Sequence, residues 1–172
     1  YIGASAMYAW QFQKAQNIAE RHDWARFVSM QNHLNLIYRE EEREMMPYCR
    51  DQGIAVTPYS PFASGRLVRD WSETTKRLET DQVAKSKYDT TADADKLVVD
   101  RVAEIAERKG VQRINVVMAW LLQNKPVVAP VIGATRMSHI EDTVAALSTT
   151  LTQEEVTYLE EPYVPHKIVG HV

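Results

Sequence analysis

The sequence predicts a parallel α/β fold built from strand–helix units, on three observations. Short apolar runs at Tyr1–Ala4, Phe27–Met30 and Ile54–Thr57 each lead into polar residues, at Ser5, Gln31 and Tyr59. Those ends lie 26 and 28 residues apart, close to the ~30 residues of one βαβ unit. The intervening segments carry apolar groups at helical spacing, as right-handed crossovers between parallel strands require.

Taken in order, the first run is a short strand, and the Ser5 hydroxyl is placed to cap the helix that follows. Trp10, Phe12, Ala15, Ile18 and Ala19 give a helical stripe over Met7–Arg21, broken at His22-Asp23. The second strand ends at Gln31-Asn32-His33. A charged run, Arg39–Glu44, then leads into a helix that reaches about Gln52. Pro47 fits there only near the first turn, where its missing N–H costs no helical bond. The third strand delivers Pro58-Tyr59-Ser60-Pro61-Phe62-Ala63-Ser64-Gly65-Arg66, rich in turn residues and hydroxyls. Residues 66–95 are long and polar, with Trp71, Leu78, Val83 and Tyr88 too sparse for a core helix, and read as a flap beside the site, a solvated surface insertion being the equal alternative. A helix over Lys96–Lys109 shows a stripe of Leu97, Val98, Val102, Ile105 and Ala106 and stops at Gly110. The next, about Ile114–Gln123, is apolar on more than one face and should be deeply buried. Val127–Ile132 reads as a fourth strand. Ser138 is placed to cap a helix over Ile140–Leu147, and Thr152-Gln153-Glu154-Glu155 has the hydroxyl-then-acid pattern that opens another. Residues 162–172 read as extended.

The 172 residues are 45% hydrophobic and 25% charged, enough for one sizeable core. A formal charge of −3 gives no footprint for nucleic acid or an anionic membrane surface. No apolar run approaches the ~20 residues that cross a bilayer. One cysteine, Cys49, excludes an intramolecular disulfide and a cysteine-based zinc site, and fits a reducing, cytoplasmic setting. The five histidines lack zinc-helix spacing, so no metal is expected. The opening Tyr1-Ile2-Gly3-Ala4-Ser5 reads as strand interior, as in a piece of a longer chain.

The chemistry gathers at the strand ends: Ser5, Gln31 with Asn32, Tyr59-Ser60, and Gly133-Ala134-Thr135-Arg136. Parallel strands put all four on one edge, where α/β folds build their sites. Glycine, hydroxyl and arginine before a helix N-terminus make an anion site from backbone donors, helix dipole and guanidinium. Ser60, Ser64, Gly65 and Arg66 offer a second phosphate-facing loop.

The segments YIGAS, FVSMQNH, YREEERE, PYSPFASGR and VIGATRMSHIEDTVAAL, in this order and spacing, resemble the aldo-keto reductases, particularly the aryl-alcohol dehydrogenase-like branch. The resemblance covers Tyr1 to about Pro165. It implies that residues 1–172 are a single incomplete domain, the C-terminal half (strands five to eight) of a (β/α)8 TIM barrel, with the flap at 66–95. A complete barrel takes ~250 residues. The implied cofactor is NADP(H). By matching position, Ser5 and Gln31 would bond the nicotinamide carboxamide, Tyr59 would stack on its ring, and Ser60, Pro61, Phe62, Ser64, Gly65 and Arg66 would line the pyrophosphate. Thr135 and Arg136, in the cofactor-binding turn that Gly133 opens, would meet the 2′-phosphate, and His139, Asp142 and Thr143 the adenine. Ala6 stands where many members have an asparagine, Phe62 where leucine is usual, and Thr143 where asparagine is common. The Ala6 departure bears most on the nicotinamide end.

The resemblance also implies that the catalytic Asp, Tyr, Lys and His belong to the first four strand units, which match no segment here. His33, Tyr38 and Lys85 sit at no matching position and read as a loop residue, a packing residue and a flap cation. The implied activity is hydride exchange between nicotinamide and a small carbonyl or alcohol substrate. A non-catalytic NADP(H)-binding regulatory or structural half-barrel is the alternative, and a remnant without either role a third. The expected partner is the missing N-terminal half-barrel, or a second copy meeting this one edge to edge, because open strand edges and exposed apolar side chains invite pairing.

Overall fold

The computed structural model describes residues 1–71 and 80–171. Three parallel strands, β1 (Ile2–Ser5), β2 (Phe27–Gln31) and β3 (Ala55–Val56), pair in the order β1-β2-β3. Ser5 is opposite Gln31, and Met30 is opposite Val56. Gly3 faces Ser29 so closely that a Cβ would come within 2.5 Å of the Ser29 Oγ, so any larger residue there would displace that hydroxyl. The predicted fourth strand is not continuous. Val127 and Val131 meet the sheet only through isolated parallel bridges, to Val56 and Tyr59. Pro130 has no N–H to extend the ladder, so the contact rests on Val56 N–H to the Pro126 carbonyl at 3.1 Å, Val128 N–H to the Val56 carbonyl at 2.9 Å and Val131 N–H to that of Pro58 at 2.8 Å.

Seven α-helices are described: α1 (Ala9–Arg21), α2 (Met45–Asp51), α3 (Gln82–Tyr88), α4 (Ala92–Lys109), α5 (Arg113–Gln123), α6 (Met137–Ala145) and α7 (Gln153–Glu160). α1 begins after Tyr8, not after Ser5. The Ser5 hydroxyl instead donates to the Gln31 carbonyl at 3.1 Å, stitching β1 to β2 beyond their ladder. Only part of the α1 stripe turns inward: Phe12 and Ala19 are buried, whereas Trp10 and Ile18 are exposed. Pro47 does sit in the first turn of α2. α4 ends as expected at Gly110, whose φ of 64° supplies the left-handed cap, although Leu97 in its stripe faces out. α6 starts one residue before Ser138, which therefore lies inside its first turn and does not cap it. Thr152 and Glu155 form the reciprocal capping box that opens α7.

The predicted flap is more ordered than its composition suggests. Its stretch 72–79, with Leu78, lies outside the described residues; beyond it come α3 and the start of α4. Tyr88, placed among residues too sparse for a core, is fully buried. α5 is apolar all round because α4 and α6 both pack on it, covering Val116, Val117, Trp120 and Leu121. No helix among the described residues is long and apolar enough to cross a membrane. Leu121 is wholly inaccessible, so Leu121→Ala should destabilise the chain by about 2–5 kcal/mol through lost transfer energy and a residual cavity. Urea unfolding measures this, and a loss under about 1 kcal/mol would mean that α5 is not the centre of the helical layer.

Candidate functional site

The strand ends converge as expected. His33 and Tyr59 form a parallel bridge, and Tyr59 bridges Val131 as well. The exits of β2, of β3 and of the Val127–Val131 segment therefore lie side by side, with Ser5 and Gln31 adjoining through their hydrogen bond. Tyr59 is already engaged. Its ring is stacked on that of His33, 5.0 Å away and nearly parallel, and the Lys87 amine sits 4.8 Å from its centre.

Behind Tyr59 the chain turns sharply. Ser60, Ala63 and Ser64 have φ of 55°, 48° and 57°, and Gly65 follows at 94°. Left-handed non-glycine residues cost of order 1–3 kcal/mol each and collect where a loop must present its backbone. Successive N–H groups in such conformations form a concave, anion-seeking surface. Pro61 and Ala63 are buried and Phe62 is partly buried against the core, so packing below fixes the turn. Arg66 lies under it with a largely buried side chain: Nη2 pairs with the Asp89 carboxylate at 2.6 Å, the guanidinium lies over the Tyr88 ring, and Nη1 is buried without a partner among the described residues.

The third strand exit is more open. Gly133, Thr135 and Arg136 are exposed, and a Cβ at Gly133 would touch nothing within 4 Å. The Thr135 N–H donates to His139 Nδ1 at 3.4 Å, across the start of α6. Asp142 and Thr143 are partly committed to structure. Asp142 accepts from Gln112 Nε2 through its carboxylate and from Asn115 Nδ2 through its carbonyl, while the Thr143 hydroxyl donates to the His139 carbonyl. These bonds pin α6 to the start of α5. A cleft of about 570 Å³ lined by Arg39, Glu42, Met46, Trp120, Asn124 and Glu160 contains none of these strand-end residues, and the Arg39 ion pairs to Glu42 and Glu160 span it.

Sequence reasoning passed over the polar cluster beneath the strand ends. His33 is buried, stacked on Tyr38 at 4.1 Å and bonded through Nε2 to the Tyr88 hydroxyl at 2.7 Å. Asn35 Nδ2 reaches that hydroxyl and the Ser60 carbonyl. Glu40 and Glu41, inside the charged run, are buried too. The one sequence signal was the pair of asparagines flanking His33, placed immediately after a strand. Burial first, then the Lys87 charge, lowers the His33 ring to about 3, so it is neutral. Burial pushes the Glu41 carboxyl up to about 7 and the Tyr88 phenol well above its ordinary range.

The sequence profile of the aldo/keto reductase family matches residues 1–163. Among similar proteins, versiconal hemiacetal acetate reductase of Aspergillus parasiticus is 48% identical over 170 residues, covering 98% of this chain and 49% of that protein. An aldo-keto reductase of Fusarium vanettenii is 44% identical over 172 residues, covering 99% and 46%. A Schizosaccharomyces pombe protein with an aryl-alcohol dehydrogenase name is 41% identical over 174 residues, covering 100% and 48%. The chain spans about half the length of these relatives.

Because Glu41 is raised from 4.5 to about 7, its protonated form adds stability below pH 4.5, and that contribution fades as pH rises through 7. Glu41→Gln keeps the neutral shape, so its stability relative to the native chain should improve steadily between pH 4.5 and 8 in urea unfolding. A difference constant over that range would contradict the assignment.

Proposed function

The chain belongs to the aldo/keto reductase family, and from that premise we propose that it is the NADP(H)-holding half of an oxidoreductase interconverting small carbonyl compounds and alcohols. One observation carries the reading: Tyr59 bridges both His33 and Val131, so the 59–66 turn and the 133–136 turn leave the same edge of the sheet. A dinucleotide is long, with a ring at one end and phosphates between. It needs such a row of platform, backbone donors and cation, in that order.

In this reading Ser5 and Gln31 hold the carboxamide and Tyr59 offers its ring, from which the Lys87 amine withdraws. Ser60, Pro61, Phe62, Ser64, Gly65 and Arg66 surround the pyrophosphate, and Gly133, Thr135 and Arg136 the 2′-phosphate. His139, Asp142 and Thr143 border the adenine. Three features of the chain suit that group: the left-handed backbone at Ser60, Ala63, Ser64 and Gly65, the buried Nη1 of Arg66 without a partner among the described residues, and the open space around Gly133. When bound, NADP(H) supplies or accepts the hydride. This chain's residues would bind and orient it, and the proton-transferring groups would come from the half of the relatives that the chain does not span.

The edges of the sheet support a barrel-half reading and a partner that completes it. Among the described residues β1 pairs on one side only, and Ile2, Val28, Val128 and Val131 are exposed. Unpaired edges with apolar side chains favour addition of further strands. We therefore read residues 1–172 as one incomplete domain, strands five to eight of a (β/α)8 barrel working in the cytoplasm beside its other half.

Titration with NADPH and then NADH, followed by tryptophan fluorescence, tests the cofactor. Saturable binding with NADPH preferred is expected, and Arg136→Ala should weaken NADPH by about tenfold or more while sparing NADH, as loss of a charge-assisted phosphate bond would. Equal affinity for both nucleotides, unaffected by the substitution, would remove NADP(H) as the ligand.

A further inference from the structure

We propose that residues 162–171 form a releasable strap that closes the ring end of this site, so that a complete dinucleotide seats only when the strap lifts. The inference rests on the reading of Tyr59 as the ring platform.

The strap crosses the exits of all three strands in turn. It is fastened first at the exit of β2, where the Tyr163 hydroxyl donates to Glu40 Oε1 at 2.7 Å and accepts the Arg39 N–H at 2.9 Å. The His166 N–H joins the same Glu40 oxygen at 2.8 Å, and His166 Nε2 meets the Asp95 carboxylate at 2.9 Å, both side chains nearly inaccessible. The Val169 N–H then donates to the Tyr38 hydroxyl at 3.0 Å. Gly170 passes the exit of β3 with φ of 85°, so close that a Cβ would stand 3.0 Å from the Tyr59 hydroxyl. Finally His171 Nε2 lies 3.0 Å from Glu41 Oε1, and its ring packs 4.9 Å from that of Tyr8, just past β1. No hydrogen bond or ion pair among the described residues joins the strap to residues 133–143. The ring end is covered and the phosphate end is left open.

The manner of attachment makes the strap releasable. Val164, Pro165, Lys167 and Ile168 all face solvent, and Val169 alone among the non-aromatic apolar side chains of 163–171 packs against the core. A segment held by hydrogen bonds and histidine–carboxylate pairs exchanges its partners for water on leaving, at far smaller net cost than one held by apolar burial. Ligand binding can drive that exchange by mass action. Glycine is required at 170 both by the left-handed backbone and by the approach to Tyr59, so Gly170→Ala is the least invasive way to loosen the strap.

The test measures NADPH and adenosine 2′,5′-bisphosphate, which lacks the ring half, on the full native chain and on Gly170→Ala and His171→Ala. Tryptic cleavage after Lys167 reports strap release, and circular dichroism confirms the fold. Each substitution should tighten NADPH at least fivefold, leave the bisphosphate within twofold, and speed the cleavage. Saturating NADPH should speed cleavage of the native chain while the bisphosphate does not. If the bisphosphate binds but NADPH affinity is unchanged or weaker in both variants, or cleavage never responds, the strap inference is overturned and the cofactor reading stands. If neither nucleotide binds any of the three proteins, the cofactor reading itself fails.

Discussion

The neutral imidazole of His33 is the constraint on which the strand ends depend. It stacks between Tyr38 and Tyr59, bonds to the Tyr88 hydroxyl, and is followed at once by Leu34, which is buried in the core. Those partners come from the loop after β2, the turn after β3 and the insertion before α4. Through Tyr38, which receives the Val169 N–H, the strap joins them. One buried ring thus ties together four segments that are remote in sequence. A charged imidazole there would lack solvation and face the Lys87 cation, which is why burial holds the ring uncharged. The arrangement leaves Asn32 Oδ1 and His33 Nδ1 without protein partners among the described residues. That polar deficit lies beside the strand exits, and none is found in α5 among the described residues.

Where the sequence carries a period, the structure follows it. The strand–helix repeat brings Ser5 opposite Gln31 and Met30 opposite Val56, and the Pro47 placement, the Gly110 stop and the Thr152–Glu155 box, which rest on local chemistry acting within a few residues, are all present. What failed depended on contacts between distant residues. Ser5 could cap α1, but the Gln31 carbonyl opposite it offered a bond that also closes the sheet. The acidic run at Glu40–Glu41 looks like a solvated face until Tyr163, His166 and His171 arrive from more than a hundred residues away to bond it. Tyr88 looks isolated in a polar stretch because its partners, His33 and Arg66, lie on other segments. Trp10 and Leu97 fit a helical stripe but face outward. The fold class was therefore legible, the positions of the strand-end loops nearly so, and the buried polar network beneath them was not.

The same separation governs the two ends of the site. The turn after β3 is built on packed residues below it and strained backbone above, so its shape is preorganised. The turn at Gly133–Arg136 stands in the open, next to exposed Val128, Val131 and Met137. Apolar exposure of that extent beside an open sheet edge favours the addition of further strands. A dinucleotide lying across both turns would bridge the packed turn and the open one.

Backbone amide chemical shifts recorded while NADPH is added to the isotopically labelled chain test the central claim most directly. The account predicts shifts that saturate together at Tyr59–Arg66 and at Gly133–Thr143, two stretches joined through the Tyr59–Val131 bridge. Shifts confined to the cleft between α2, α5 and α7, or absent from both turns at saturating nucleotide, would contradict it.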